Sequence, residues 1–127
     1  MIAVDTSALM AILVVEPKEA DCLRALRSAK DAVISAGTLA EALVVAAGRN
    51  VSEDMQDLID ALPLRVVEVT PDTARRIGGI YAKWGKGIHP AGLNFGDCFA
   101  YDVAKQNACP LLFVGNDFSL TDIESAL

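Results

Sequence analysis

Four carboxylates in a chain of 127 residues, Asp5, Glu41, Asp97 and Asp117, stand where apolar segments begin or end. Asp5 follows "MIAV", Glu41 lies in "TLAEALVVAA", Asp97 in "GLNFGDCFAYDVAK", and Asp117 just beyond "PLLFVGN". Brought together, they would make an all-oxygen site suited to Mg2+ or Mn2+. A divalent ion held this way lowers the pKa of bound water and offsets charge on phosphoryl oxygens, which is what phosphodiester hydrolysis requires. Other chemistries have less support. His89 is the only histidine, and Cys22, Cys98 and Cys109 form no CxxC pair, so no zinc pattern is present. Neither a Ser-His pair nor a P-loop is found.

Each acid also has a purely local reading. Asp5 can cap a helix. Thr38 and Glu41 fit the S/T-x-x-E capping box, and Asn94 and Asp97 share its three-residue spacing. Asp117, two residues after Gly115, suits a turn. Four separate caps are the weaker account, because Glu41 is the only charged residue between Asp31 and Arg49, among Ala, Val and Leu. A carboxylate carried into such surroundings is costly unless paired or metal-bound. No Lys or Arg lies close in sequence to Asp5, Glu41 or Asp97. One divalent cation would satisfy all four.

The elements that must position these acids follow from apolar periodicity. "MIAV", "DAVISA", "LRVVEV" and "PLLFV" read as strands. Helices are expected over "DTSALMAILVV", "KEADCLRALRSA", "TLAEALVVAAGR" (from Thr38, closed by Gly48), "SEDMQDLIDAL" (capped by Ser52) and "TPDTARRIGGIYAKWG", with a last one from Asn94. The alternation predicts one α/β domain over residues 1–127: three layers, α/β/α, around a mainly parallel sheet of four to five strands. Ligands of such sheets bind outside the carboxyl ends of the strands. Asp5 ends the first strand, Glu41 falls in the first turn after the second, Asp97 opens the helix leading into the fourth, and Asp117 lies beyond it. All four are expected at one edge.

With 53% hydrophobic and 22% charged residues, the chain can fill a core. Its net charge of −6 argues against a simple nucleic-acid binder, but without the four acids the remainder carries only −2. The loop "YAKWGKGIHPAGLN" offers Lys83, Lys86 and His89 as RNA contacts. One Trp, two Tyr and four Phe disfavour an aromatic base-stacking platform. "ALMAILVV" is too short to span a bilayer, and Asp5 precedes any Lys or Arg, unlike a secretory signal. A soluble cytoplasmic protein without membrane attachment is expected.

With these residues in view, the chain resembles a PIN-domain ribonuclease, of the VapC type of toxin in type II toxin–antitoxin systems. "VDTSAL", the Glu of "SAGTLAEA", "HPAGLNFGDCFAYDVAK" and "LLFVGNDFSLTDI" carry the resemblance, which covers nearly the whole chain. It implies a Mg2+-dependent endoribonuclease (Mn2+ as substitute) with Asp5 and Asp97 as main ligands and Glu41 and Asp117 completing the set. Thr6 or Ser7, and Asn94, would orient the ligands or the substrate. Asp102 falls outside this set, because it lies about 140° round the helix from Asp97. The resemblance further implies a homodimer and a small VapB-like antitoxin, for which exposed members of "LMAILVV" would form an apolar groove. One departure is Val114, where relatives often carry a lysine able to neutralise phosphate. Two other classes compete. A phosphoacceptor signalling domain would need an acid beside Asp5 and a lysine after the last strand, and neither is present. A catalytically silent binding module would not need all four acids.

Overall fold

The computed structural model describes all 127 residues as four strands and six helices. In chain order these are β1 (Ile2–Val4), α1 (Thr6–Leu13), α2 (Glu19–Ser28), β2 (Ala32–Ser35), α3 (Ala36–Gly48), α4 (Ser52–Ala61), β3 (Leu64–Val67), α5 (Pro71–Trp84), α6 (Phe95–Gln106) and β4 (Leu111–Leu112). All pairings are parallel, in the order β3-β2-β1-β4. The predicted sheet is therefore present with four strands, and a single bridge between Leu111 and Ser125 adds the chain end to its β4 side.

The register explains the two cores. Ala3 pairs with Val33 on one side and Leu111 on the other, and Val4 pairs with Leu112. Side chains alternate along a strand, so Ala3, Val33 and Leu111 face one layer of helices while Val4, Ile34 and Leu112 face the other. The first set packs with Ile77, Trp84, Leu93, Tyr101 and Val103 of the α5–α6 layer. The second packs with Leu9, Cys22, Ala42 and Met55 of α1 to α4. Leu9, Met55, Leu93 and Leu112 are fully buried. Truncating side chains of this kind costs about 2–5 kcal/mol each, so the helices that carry the acids are held firmly. No helix is long and apolar enough to cross a membrane. Cys22, Cys98 and Cys109 are free thiols, the first two buried.

Three local expectations are corrected. α3 begins at Ala36, not Thr38, because β2 runs straight into it and the Ser35 side chain accepts from the Gly37 amide. Glu41 is thus in the second turn, and "TLAE" is no capping box. α4 has Val51 at its N-cap with no side-chain cap bond, so Ser52 is already inside the helix. Most of "LMAILVV" is core: Leu9, Met10, Ala11 and Ile12 are buried, and only Val15, at 70% exposure, faces solvent freely. α2, α3 and α4 cover that helix, so it offers no open apolar groove.

Candidate metal and active site

Strand order reverses direction at β1, whose two neighbours are β2 and β4. The crevice outside the carboxyl ends at such a switch point is where open parallel sheets bind ligands. Asp5 stands there as the residue after β1 and as the N-cap of α1. Its Oδ2 accepts from the Ser7 amide at 3.1 Å and the Ser7 hydroxyl at 2.6 Å. Ser7 Oγ itself accepts from the Val114 amide at 3.0 Å, so one serine ties Asp5 to the exit of β4. Asp5 is 4% exposed, and its other oxygen, Oδ1, is buried with no hydrogen-bond partner.

Asp97 comes from α6. It forms a reciprocal capping box with Asn94: the Asn94 amide donates to Asp97 Oδ2 at 3.0 Å, and the Asp97 amide donates to Asn94 Oδ1 at 2.9 Å. The capping reading of Asp97 is therefore correct, yet it engages only one carboxylate oxygen. Burial pushes the Asp97 carboxyl up to about 7, and the charges of Asp5, Asp117 and Glu41 push the same way against the Asn94 amide. Burial likewise raises Asp5, opposed by the Ser7 hydrogen bonds and aided by the charge of Glu41. The charges of the other three acids are thus felt at Asp97, and that of Glu41 at Asp5.

Glu41 reaches the crevice across α3. Its Oε1 accepts from the Thr6 hydroxyl at 2.7 Å. The carboxylate rests on Gly96, where any Cβ would collide with it. Asp117 is exposed on the turn that follows Gly115, whose φ of 102° suits glycine and swings the chain out of β4.

As they stand, no three of these acids are close enough to share an ion. Each of three carboxylates is held by its own donor: Asp5 by Ser7, Glu41 by Thr6 and Asp97 by the Asn94 amide. The donor set still fits a hard divalent ion. It is all oxygen, it includes the unpartnered Asp5 Oδ1, and the Asp97 charge is held there at a cost that a cation would offset.

The basic segment expected as a loop begins inside α5, which holds Lys83 in its last turn, and none of Lys83, Lys86 and His89 pairs with an acid. Lys83 lies over the Trp84 ring at 4.9 Å from its centroid, and His89 packs edge-on to the same ring at 4.7 Å. His89 Nδ1 accepts from the Ala91 amide at 3.0 Å. Lys83 and Lys86 are exposed and make no ion pair. Asp102, set aside from the site, instead receives Arg76 Nε at 2.7 Å and Nη2 at 3.1 Å. Gly96 is the residue that sequence reading missed. Its glycine before Asp97 is visible in "FGD", but its role depends on Glu41, which reaches it only through space. The largest cavity, about 490 Å³ between α2 and the chain end, holds none of the acids.

The model of the PIN domain matches residues 2–124. Ribonuclease VapC28 of Mycobacterium tuberculosis is 40% identical over 128 residues, covering 98% of this chain and 96% of the relative. Ribonuclease VapC of Mycolicibacterium smegmatis is 39% identical over 125 residues, covering 94% and 95%. The chain belongs to the PIN-domain family and, within it, to the VapC group. The fold agrees: VapC20 of M. tuberculosis, described as a sarcin-ricin loop cleaving toxin, superposes with a TM-score of 0.80 at 17% identity, over 97% of this chain and 96% of that one. VapBC2 of Rickettsia felis, solved bound to a DNA fragment from its promoter, gives a TM-score of 0.72 at 17% identity, over 98% and 96%.

Proposed function

We propose that this chain is a Mg2+-dependent endoribonuclease, the toxin of a toxin–antitoxin pair, that hydrolyses RNA phosphodiester bonds at the β1/β4 crevice. The observation that carries the metal site is the pairing of Asp5 and Asp97. Two buried carboxylates from distant elements stand at the same sheet edge: the charge of Asp5 raises the proton affinity of Asp97, and Asp5 leaves an oxygen unpartnered.

Asp5 and Asp97 would hold the ion, with Glu41 and Asp117 completing the set. When bound, Mg2+ or Mn2+ supplies an acidified water and neutralises charge at phosphorus. The chain's own residues do the positioning. Ser7 fixes Asp5 Oδ2 and leaves the buried Oδ1 without a partner, Thr6 fixes Glu41, and the Asn94 amide fixes one oxygen of Asp97. Lys83, in the last turn of α5, and Lys86, in the loop after it, make no ion pair and are available for the RNA backbone.

Partners follow from the same reading: an RNA substrate, a VapB-like antitoxin and a second copy of the chain. Support comes from the VapC names of the curated relatives and from the VapBC2 complex among the structural neighbours. The alternative is a catalytically silent module that keeps the fold only to engage its partner.

RNA cleavage by antitoxin-free protein separates the two. Activity is expected with Mg2+ or Mn2+, lost with chelator, and lost in folded Asp97→Asn and Asp5→Asn. Wild-type protein inert with both metals, or Asp97→Asn cutting at the wild-type rate, would overturn the reading.

A further inference from the structure

Phe95, the first residue of α6, is the most exposed aromatic side chain of the molecule, at 67%. It is exposed but not loose. Its ring meets Phe99 edge-to-face, with centroids 5.1 Å apart and planes at 84°. Phe99 in turn lies on Gly37 in the first turn of α3, where any Cβ would run into the ring. Gly37, Phe99 and Phe95 form a prop that holds the outer ring in place without covering it.

The prop adjoins the position on which one of the acids, Glu41, rests. Successive helix residues turn by about 100°, so Gly96 separates Phe95 from Asp97 round the axis of α6. The Glu41 carboxylate occupies the Gly96 position. Phe95 therefore adjoins in sequence the glycine that carries Glu41, and its side chain leaves α6 about 160° round from that of Asp97.

That placement answers a need of the substrate. A polyanion must approach acids that have no lysine or arginine in contact with them, and Val114 supplies no charge at the end of β4. Affinity from stacking is independent of charge, because every nucleobase has a π-face. We propose that Phe95 is a base-stacking residue of the RNA site, holding a nucleobase next to the phosphodiester that is cut. This rests on the nuclease reading above. The low aromatic count of the chain excludes an extended platform, not one propped ring.

The test begins with wild-type cleavage of a fluorescent RNA oligonucleotide. Phe95→Ala is then expected to raise KM by roughly 5- to 100-fold, the range of one lost base stack, with kcat nearly unchanged. Phe95→Trp is expected to restore KM. An abasic substitution beside the cut should weaken wild type by a similar factor and leave Phe95→Ala unaffected. Melting temperature and sedimentation mass should match wild type throughout. If wild type cuts no RNA, the nuclease reading fails and the stacking role with it. If wild type cuts but Phe95→Ala keeps its KM, or loses equally on intact and abasic RNA, only the stacking role is overturned. A change in the oligomeric mass of Phe95→Ala would also overturn it, by assigning the ring to a contact between copies.

Discussion

The hydroxyl of Thr6 donates to Glu41 Oε1 at 2.7 Å, joining residues 35 positions apart. The bond links the first turn of α1 to the second turn of α3, and it fixes a carboxylate that would otherwise swing over the sheet edge. Thr6 is buried, so no water can readily replace it. Position along the chain gives no hint of this pairing, which exists only because β1 and β2 are neighbours.

Thr6→Val keeps the shape and removes the donor. The expected result is a loss of about 1–2 kcal/mol in stability, in line with a hydrogen bond to a charged group that is partly solvated. RNA cleavage should fall by roughly tenfold or more, since each 1.4 kcal/mol of misplacement is a factor of ten. Thr6→Ser should restore both. Urea unfolding and initial cleavage rates read the two effects separately.

Gly96→Ala should separate activity from stability. In an exposed helix position glycine-to-alanine gains about 0.5–1 kcal/mol, and that is the expectation for Gly78 and Gly79, whose surroundings are open. At Gly96 the new methyl displaces the flexible Glu41 carboxylate. Melting temperature should stay close to wild type while cleavage drops, and a crystal structure of the variant should show Glu41 turned away from Thr6. Full activity in Gly96→Ala would remove Glu41 from the site.

The pH dependence of metal-free stability follows from Asp97. Its folded carboxyl is raised from 3.8 to about 7. Between those values the folded state holds a proton that the unfolded chain has lost, so stability falls as pH rises through this window. Asp5, raised as well, acts in the same direction. The melting temperature without metal is expected to decline from pH 5 to pH 8, and to recover on adding Mg2+ at pH 8. Asp97→Asn, which keeps an acceptor for the Asn94 amide, should flatten the decline.

Asp102 provides the contrasting acid. Its side chain is 7% exposed and paired with Arg76. Arg76→Met would leave it buried without a partner, at an expected cost of about 2–3 kcal/mol after allowing for the partly exposed arginine. Cleavage per folded molecule should not change. Calorimetry combined with rates measured well below the melting temperature checks both halves.

Much of this arrangement is legible in the sequence. The alternation of short apolar runs with amphipathic stretches specifies a parallel sheet, and strand ends point to the sheet edge at which Asp5, Glu41, Asp97 and Asp117 are expected. What escapes is whatever depends on distance through space. Ser35 displaces Thr38 as the start of α3 because β2 and α3 join without a loop. The members of "LMAILVV" expected to stay exposed are instead covered by three further helices, all but Val15 being at least partly buried. The Arg76–Asp102 pair spans 26 residues, and only the packing of α5 on α6 brings it together.

The bridge between Leu111 and Ser125 has a consequence for how copies of this chain behave when crowded. β4 is an outer strand, and outer strands present amides and carbonyls that invite a foreign strand. Here the chain end takes those valences: the Leu111 amide donates to Glu124 O at 2.9 Å, and the Ala126 amide donates to Leu111 O at 2.9 Å. The segment between β4 and Ser125, which carries Asp117, is therefore a loop pinned at both ends. Only the β3 side of the sheet stays open, and there the exposed Arg65 acts as a charged gatekeeper against edge-to-edge association.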